Sequence, residues 1–333
     1  MADEKYLNEF RQDLVSGDWV LFSTGRKHSI RKFEIMHQPK NECPFENLKE
    51  SQQEIISQYP DEENPTVTII KNKFPAVISG ICGPDRLEGP VSVHDATGIH
   101  EVIVYKDHDR HFSDFSVDQM TDTVRVYKKR YQEIALEKSN CTSYIMIFHN
   151  YGQEAGASIS HPHSQIISTP ILPPDISRSI RGSYKFYKEN KKRVYDVLVN
   201  WEREEKKRIV YENDIFIAFC PFFSKNPYEV RIFAKDGHAH FEKMPDELDK
   251  YLADALVNVL KKIKTVLNDP PFNFFIHTAP TEAQWDKVNF HEFYHWHIEI
   301  LPKLSIMAGF ELGTGIDINV VDPDQAAEEL RNA

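Results

Sequence analysis

Hydrophobic residues recur with helical spacing in two long stretches of the chain. In residues 118–138, and again in residues 246–268, apolar side chains fall three and four positions apart, which is the period of one face of an α-helix. These positions are Met120, Val124, Tyr127, Tyr131 and Ile134 in the first stretch, and Leu248, Leu252, Leu256, Val259, Leu260 and Ile263 in the second. Both stretches are predicted to be amphipathic helices, and Pro270 ends the second because proline cannot continue a helix.

Each predicted helix belongs to a unit that occurs twice. The unit has, in order, an apolar strand, a Lys-Asp pair, a His-Phe pair, the helix, a second apolar strand, a loop and a His-x-His triplet. It runs from Glu101 to His163 in the first copy and from Glu229 to His297 in the second. Because the whole order recurs, the chain is predicted to contain an internal duplication.

The fold class that follows from this pattern is α+β. Each copy is predicted to form an antiparallel sheet with a crossing helix. Pro170, Pro173 and Pro174 favour an irregular linker over residues 169–183. We therefore expect two tandem domains, residues 1–175 and residues 176–333.

The strongest candidate for chemistry is the segment His161-Pro162-His163-Ser164-Gln165. It runs into β-forming residues and is predicted to lie at the edge of a strand. Alternate residues of a strand share a face, so His161, His163 and Gln165 are expected to project together. The preceding loop, residues 150–158, contains two glycines and can bring backbone N–H groups close to an anion. Imidazole, amide and backbone donors converging on one point suit phosphate chemistry.

The two copies differ at one informative position. Glu299 of the second copy stands where the first copy has Gln165, two residues after the His-x-His triplet in each case. An amide N–H donates to a phosphate oxygen, whereas a carboxylate repels it. We therefore expect the chemistry in the first half and a supporting role for the second.

Composition narrows the range of partners and compartments. The formal net charge of −11 argues against nucleic acid or an anionic membrane as the main partner. No apolar run reaches the roughly 18 residues that a membrane span needs, and the first residues lack the apolar core of a secretory signal. We expect a cytoplasmic protein, and its widely spaced cysteines are expected to be reduced, namely Cys43, Cys82, Cys141 and Cys220.

The catalytic segment and its loop resemble the galactose-1-phosphate uridylyltransferase branch of the histidine-triad superfamily. The motif of that family is Phe-Glu-Asn-(Arg/Lys)-Gly-x-x-x-Gly-x-x-x-x-His-Pro-His-x-Gln. In this chain it runs from Phe148 to Gln165 with two departures, His149 in place of Glu and Tyr151 in place of the basic residue. The resemblance covers nearly the whole chain, with further similar stretches that begin at Trp19, Cys43 and Asn72. It implies that both domains are histidine-triad-like, the first catalytic and the second degenerate.

The resemblance implies that His163 is the nucleophile. Neutral imidazole is nucleophilic near pH 7 and is a competent leaving group from phosphorus. Attack on the α-phosphorus of a nucleoside diphosphate sugar would release a sugar 1-phosphate and leave a nucleotidyl-histidine, which a second sugar 1-phosphate would attack in a ping-pong course. Gln165 would hold a phosphate oxygen in both steps. The other substrate contacts implied are Arg26, Asn72, Asn150, Gly156 and Ser158 for the nucleotide and phosphate, and Phe310 and Glu311 for the hexose.

His161, the first histidine of the triplet, is implied to bind a structural zinc ion. In the family it does so with two cysteines and another histidine, and Cys43 and His108 match two of these positions. Glu46 replaces the second cysteine, and a carboxylate can also bind zinc. Either the four residues Cys43, Glu46, His108 and His161 bind zinc, or the site has degenerated and Glu46 is solvated.

The second-half histidines His277, His295 and His297 resemble a second metal site of some family members. That site also uses a glutamate just after the first half, and residues 174–181 contain none. We therefore expect packed histidines and no second metal site.

Several functions fit these residues, and one leads. The leading hypothesis is a nucleotidyltransferase, UDP-glucose:galactose-1-phosphate uridylyltransferase. The nearest alternative is a nucleoside-diphosphate-sugar phosphorylase, for example on ADP-glucose, because residues 309–315 resemble family members with that activity. A dinucleoside polyphosphate phosphorylase or hydrolase fits less well, and intact His163 and Gln165 argue against a catalytically silent binding protein. The expected partners are a nucleoside diphosphate sugar, a hexose 1-phosphate and a second copy of the chain in a homodimer.

Overall fold

The central feature of the fold is one ten-stranded antiparallel sheet. The computed structural model describes residues 6–31, 33, 35, 37–137, 142–281, 285 and 287–333. The strands are β1 (Asn8–Gln12), β2 (Trp19–Ser23), β3 (Ile55–Tyr59), β4 (Val67–Lys71), β5 (Arg86–Glu88), β6 (Val91–Val93), β7 (His100–Tyr105), β8 (Tyr144–Tyr151), β9 (His163–Thr169), β10 (Ile209–Glu212), β11 (Phe216–Phe219), β12 (Val230–Ala234), β13 (Phe272–His277), β14 (His297–Pro302) and β15 (Asp317–Asn319). The helices are α1 (Val117–Leu136), α2 (Pro174–Asn190), α3 (Val194–Glu205), α4 (Asp249–Leu267), α5 (Gly309–Thr314) and α6 (Pro323–Arg331).

The strand order confirms the α+β class and repeats in the two halves of the chain. Outward from the centre, the first half contributes β8-β9-β7-β4-β3 and the second half contributes β13-β14-β12-β11-β10. The halves meet where β8 pairs with β13, with Phe148 opposite Phe275. Because the sheet is continuous across this pairing, the domain boundary between residues 175 and 176 stays a prediction.

The two amphipathic helices, α1 and α4, pack against each other. Their apolar faces join one core with strands from both halves, and Asn268 ends α4 in the left-handed conformation with φ 57°. The ammonium of Lys128 on α1 lies 2.6 Å from Asp246 and 2.8 Å from Asp249 at the start of α4. The two halves are therefore joined through helix packing as well as through the sheet.

The predicted linker is shorter than expected. Helix α2 begins at Pro174 and covers most of the predicted linker. The expectation of an irregular segment over residues 169–183 was therefore wrong beyond Pro173. Proline is tolerated in the first turn of a helix, because the backbone N–H that it lacks has no helical partner there.

Two expectations about the compartment can be compared with the structure. Within the described part of the chain, no helix combines the length and the apolar character that crossing a membrane requires. Cys43 and Cys220 are free and buried, but Cys82 is disulfide-bonded, so the expected reduced state was wrong for Cys82. Wide spacing along a sequence does not prevent two side chains from meeting in the fold. Cys141 lies outside the described residues.

Candidate active site

Strand β9 presents His163 and Gln165 on one face of the sheet. Apolar residues of β7 lie opposite them and pack with Phe45 in a small cluster on that face. Ser164 points to the other face, where its hydroxyl contacts two core tyrosines. The ring of His161, just before β9, also meets Phe45, with 5.9 Å between ring centroids. The three residues of the motif therefore lie on the same side of the sheet, as the alternation along the sequence predicts.

The ring of His163 is held in one tautomer. Its Nδ1 lies 2.8 Å from the carbonyl oxygen of His161. Because a carbonyl only accepts, Nδ1 carries the proton and Nε2 keeps its lone pair. Burial lowers the pKa of His163 below its ordinary value, since a charged ring would lose its hydration. The side chain is therefore a neutral imidazole with a free Nε2, which is the nucleophilic form.

Gln165 is held from the neighbouring strand β7. Its Oε1 lies 2.9 Å from Nε2 of His100, the first residue of that strand. The side chain of Asn72 contacts the same ring nitrogen, with its Nδ2 3.1 Å from Nε2 of His100. One histidine thus connects two of the expected substrate residues.

The loop before β9 is shaped by glycine and supported by the second half. Gly152 and Gly156 have φ values of 84° and 89°, a region that is strained for other residues. The side-chain amide of Asn273, on β13, donates to Oδ1 of Asn150 at 2.8 Å and to the carbonyl of Ala155 at 2.7 Å. The N–H groups of the Asn150 amide are therefore left to donate to a ligand.

The expected phosphate residues border a cavity. Asn150 and Ser158 line a space of about 420 Å³ beside His161, and Gly156 lies on the loop between them. His111 lines the same space, where burial lowers its pKa to about 4. A pKa that low keeps the ring neutral at pH 7.

Three expected contact residues lie elsewhere. Arg26 is exposed in a 3-10 helix, Thr24–Ser29. Phe310 and Glu311 belong to α5, where the carboxylate of Glu311 accepts a hydrogen bond from the backbone N–H of Ala308 at 3.1 Å. None of the three is among the described residues that line the cavity. Neither His163 nor Gln165 lines this cavity either; of the residues of the His-Pro-His-Ser-Gln segment, His161 and Pro162 do.

The two departures from the family motif point into the core. His149 stacks on Phe112 with 4.1 Å between ring centroids, and burial holds its pKa well below the ordinary value. The hydroxyl of Tyr151 donates to Asp269 of the second half at 2.9 Å. Both side chains pack between core elements and lie on the face opposite His163, and both also line the cavity beside His161.

Cys43, His108 and His161 form a cluster of potential metal ligands beside β9. Their ligand atoms all lie within 4.8 Å of one another. Nε2–H of His108 donates to the carbonyl of Gln38 at 2.8 Å, and Nε2–H of His161 donates to the carbonyl of Tyr105 at 2.6 Å. Both Nδ1 atoms are therefore unprotonated in the neutral rings, which is the form that binds metal.

The fourth expected ligand, Glu46, lies beside the two histidines of this cluster. The two Nδ1 atoms face each other at 3.1 Å, and Oε1 of Glu46 lies 3.0 Å from that of His108 and 3.5 Å from that of His161. Lone pairs this close repel unless a proton or cation lies between them. Ligands around zinc stand roughly 3–4 Å apart when their bonds are about 2.0–2.3 Å. Cys43, His108 and His161 therefore fit a zinc ion, and the carboxylate of Glu46 is within reach of both histidine ligands.

The equivalent site of the second half has the same histidine hydrogen bond as the first half but a carboxylate in place of the amide. Nδ1–H of His297 donates to the carbonyl of His295 at 3.1 Å, as His163 does in the first half. Glu299, however, lies 3.4 Å from Nε2 of His297 and 3.1 Å from Nε of Arg231. Burial alone would raise the pKa of Glu299, but Arg231 holds it well below its ordinary value. The ionised carboxylate makes this site unsuited to phosphate.

The second-half histidines differ in their surroundings. His295 is packed, with its ring nitrogens at hydrogen-bond distance from the carbonyls of Trp296 and Ala234. His277, His297 and Glu299 instead offer ligand atoms within 4.8 Å of one another. This donor set can hold a cation, an arrangement that the expectation of packed histidines did not include.

Two residues of the site were not found from the sequence. His100 lies 65 positions before Gln165, and Asn273 lies 123 positions after Asn150. The one available signal for Asn273 is a polar residue within the apolar strand Phe272–His277. Both contacts depend on which strands pair and on the register of the pairing.

The chain is similar to known proteins over most of its length. The family model for the N-terminal domain of galactose-1-phosphate uridyl transferase matches residues 1–173, and a domain of unknown function, DUF4921, matches residues 95–333. An ADP-glucose phosphorylase of Arabidopsis thaliana is 32% identical over 97% of this chain and 92% of its own length. A galactose-1-phosphate uridylyltransferase of Thermotoga maritima is 29% identical over 97% of this chain and 98% of its own length.

A solved structure shows the same fold over almost the whole chain. The crystal structure of an ADP-glucose phosphorylase from Arabidopsis thaliana with bound ADP-glucose has a TM-score of 0.82 and 30% identity, covering 98% of this chain and 99% of that one. Fold, site and relatives together define an enzyme that transfers nucleotidyl groups. The chain belongs to the galactose-1-phosphate uridylyltransferase family, which includes members similar to ADP-glucose phosphorylase.

Proposed function

We propose that this enzyme splits a nucleoside diphosphate hexose through a nucleotidyl-histidine on His163. The observation that carries the proposal is the ring itself, with Nδ1–H bound to the carbonyl of His161 at 2.8 Å and Nε2 free. Nε2 attacks the α-phosphorus with its lone pair, the bond from that phosphorus to the bridging oxygen breaks, and hexose 1-phosphate leaves. The positive charge that forms on the ring is stabilised because Nδ1–H already donates to a carbonyl dipole.

The second step returns the enzyme to its starting form. A phosphate oxygen of the acceptor attacks the same phosphorus, the phosphorus–nitrogen bond breaks, and His163 leaves as neutral imidazole. The side-chain amide of Gln165 donates to a non-bridging oxygen in both steps, and Asn150 and Ser158 donate from the glycine loop. Donors are suited to this task, since negative charge rests on those oxygens throughout.

The cluster beside β9 would hold a structural zinc ion. Cys43, Glu46, His108 and His161 would bind it, and the ion would supply a cross-link between separate segments of the chain. The bound ion would hold the backbone of His161 in place. The carbonyl oxygen of His161 accepts the hydrogen bond that sets the tautomer of His163. The metal therefore acts on the geometry of the nucleophile and takes no part in the bond changes.

Two substrate pairs are candidates. The Arabidopsis thaliana relative and the segment 309–315 favour ADP-glucose as the donor and phosphate as the acceptor. The uridylyltransferase relatives favour UDP-glucose as the donor and galactose 1-phosphate as the acceptor, which is the leading hypothesis from the sequence. Both pairs use the same chemistry at His163 and differ only in the base and in the acceptor.

The enzyme is further proposed to act as a homodimer. In the family that the chain resembles, the arginine at the position of Arg26 can reach across a dimer interface. Arg26 and Phe310 are exposed on their own chain, so they are open to contact with the site of a second copy. Mixing the inactive variants His163→Ala and Arg26→Ala, after partial unfolding and refolding together, should restore part of the activity. Activity that stays absent in a mixed dimer would exclude a contribution of Arg26 across the interface.

The covalent intermediate provides the main test. The protein is incubated with UDP-glucose or ADP-glucose labelled at the α-phosphate, and acid-labile, base-stable label on the protein is counted. We expect label on the wild type and none on His163→Ala. His297→Ala is the matched control, because it removes the equivalent ring of the second half, and it should keep the label. A folded wild type that takes no label from either donor would exclude the mechanism.

The acceptor is identified from the labelled enzyme. Galactose 1-phosphate and inorganic phosphate are added separately after excess donor has been removed. Release of label by phosphate, as a nucleoside diphosphate, assigns a phosphorylase. Release by galactose 1-phosphate, as a sugar nucleotide, assigns a uridylyltransferase.

A further inference from the structure

We propose that His100 is a positioning residue that orients the amide of Gln165 toward the substrate phosphate. The inference rests on the proposed function, since it assigns a role in the same phosphoryl chemistry. His100 and Gln165 lie on adjacent strands, where His100 faces Ile167 and Gln165 faces Val102. Diagonal neighbours of this kind are within reach of long side chains.

The protonation state of His100 follows from its backbone contact. Its Nδ1 lies 3.0 Å from the backbone nitrogen of Ala76, which donates its hydrogen. Nδ1 must accept and is therefore unprotonated, so in the neutral ring the hydrogen resides on Nε2. Nε2–H then donates to Oε1 of Gln165 at 2.9 Å. The amide nitrogen of Asn72 lies 3.1 Å from the same Nε2 but cannot accept a hydrogen bond, so Oε1 of Gln165 is the acceptor for the ring hydrogen.

The orientation of that amide decides whether phosphate is attracted or repelled. A glutamine amide can turn by a half rotation at little intrinsic cost, which exchanges its oxygen and its NH₂ group. With Oε1 bound to His100, the NH₂ group is turned away from the ring and can donate to a phosphate oxygen. Without His100, the amide can turn so that Oε1 of Gln165 points to the substrate. Oε1 and the phosphate oxygen are both acceptors, so they repel each other.

The second half has a charged pair, in contrast to the neutral pair of His100 and Gln165. Across β12 and β14, Arg231 faces Glu299, and its Nε lies 3.0 Å from Glu229 and 3.1 Å from Glu299. There a cation holds a carboxylate, whereas in the first half a neutral ring holds a neutral amide. The neutral pair leaves the local charge unchanged, so the negative charge of a phosphate meets a donor and no carboxylate.

Two substitutions test the roles of the two nitrogens of the His100 ring separately. His100→Asn keeps an acceptor near the position of Nδ1 for Ala76 and removes the donor to Gln165. His100→Gln places an amide nitrogen near the position of Nε2 and keeps that donor. We expect His100→Asn to slow the formation of labelled His163 by about 10- to 100-fold, as for the loss of one oriented donor, and to lower kcat more than it raises KM. His100→Gln should stay within about threefold of the wild type.

A double-mutant cycle tests whether His100 acts through Gln165. In the Gln165→Ala background, His100→Asn should cost no more than about twofold, because the amide that it orients is gone. Equal losses in both backgrounds, or a His100→Asn variant as fast as the wild type, would overturn the proposal. Thermal midpoints are compared for all variants, and His100→Ala replaces His100→Asn if the latter does not fold. A wild type that takes no label rejects the proposed function, whereas normal labelling of His100→Asn rejects only this role.

Discussion

Replacing Gln165 by glutamate should reproduce in the first half the change that separates it from the second. The new carboxylate can still accept the hydrogen bond from His100, which lies 2.9 Å from Oε1, so the fold should be kept. A side-chain oxygen in contact with a phosphate oxygen places the two charges about 4 Å apart. At an effective dielectric constant near 20, that repulsion is about 4 kcal/mol, which corresponds to a loss of roughly a thousandfold in rate.

The alanine variant sets the scale for this loss. Gln165→Ala removes only a hydrogen bond to a charged group, worth about 1.5–3 kcal/mol, or roughly 10- to 150-fold in rate. The assay is the second-order rate constant for labelling of His163, measured at neutral pH with sugar nucleotide below KM, because the phosphate is charged in the bound state as well as in the transition state. Gln165→Glu should be slower than Gln165→Ala, and the gap should narrow at lower pH as the new carboxyl becomes protonated.

The second half provides the matched control. Glu299→Gln makes the reverse change at the equivalent position and should leave the labelling rate within about threefold of the wild type. Removing Glu299 takes a carboxylate away from Arg231, 3.1 Å distant, so a loss of stability is expected there without a loss of chemistry. If Gln165→Glu labels as fast as Gln165→Ala, no anion approaches residue 165, and the assigned role of Gln165 is wrong.

Three further predictions concern stability and metal. Lys128→Met should lower the free energy of unfolding in urea by at most about 3–5 kcal/mol, because buried Asp249 loses its 2.8 Å partner and keeps only Arg125 at 3.7 Å. Burial raises the pKa of Asp249, so protonation of the folded variant at lower pH relieves the unfavourable charge, and the deficit should be smaller at pH 5 than at pH 7. An equal deficit at both pH values would contradict this. Cys43→Ser should reduce the zinc bound per chain and lower Tm, measured by metal analysis and calorimetry; unchanged zinc content would show that Cys43 is not a ligand. Gly98→Ala should lower Tm strongly, because the added Cβ would lie 2.1 Å from the carbonyl oxygen of Ser168, whereas Gly309→Ala, with nothing within 4 Å, should be nearly neutral.

Local features of the fold could be predicted from the sequence. The spacing of apolar residues indicates α1 and α4 to within a few residues, because it depends on the local backbone geometry. The alternation in β9 predicts the shared face of His163 and Gln165 for the same reason. The internal duplication adds the repeated strand order, which would not follow from either half alone.

Features that depend on strand pairing could not be predicted in this way. The pairing of β8 with β13 brings Asn273 to Asn150, and the register of β7 against β9 brings His100 to Gln165. Both pairs are far apart in the sequence, and neither follows from the spacing of nearby residues. Helix α2 was missed for a different reason, since proline at the first position of a helix is indistinguishable by residue type from proline in a linker.

The joint between β8 and β13 has a consequence for any attempt to separate the halves. Cut between residues 170 and 173, the first half would retain His163, His100 and the whole glycine loop, but β8 would become an open edge of unpaired backbone groups. Such an edge recruits another strand, and the partner with a matching shape is β8 of a second identical fragment. The fragment should therefore pair with itself, with two equal catalytic faces where the full chain has one. Each loop would then lack the two hydrogen bonds from Asn273, so a fragment that keeps every residue of the motif would still lose the support of its phosphate loop.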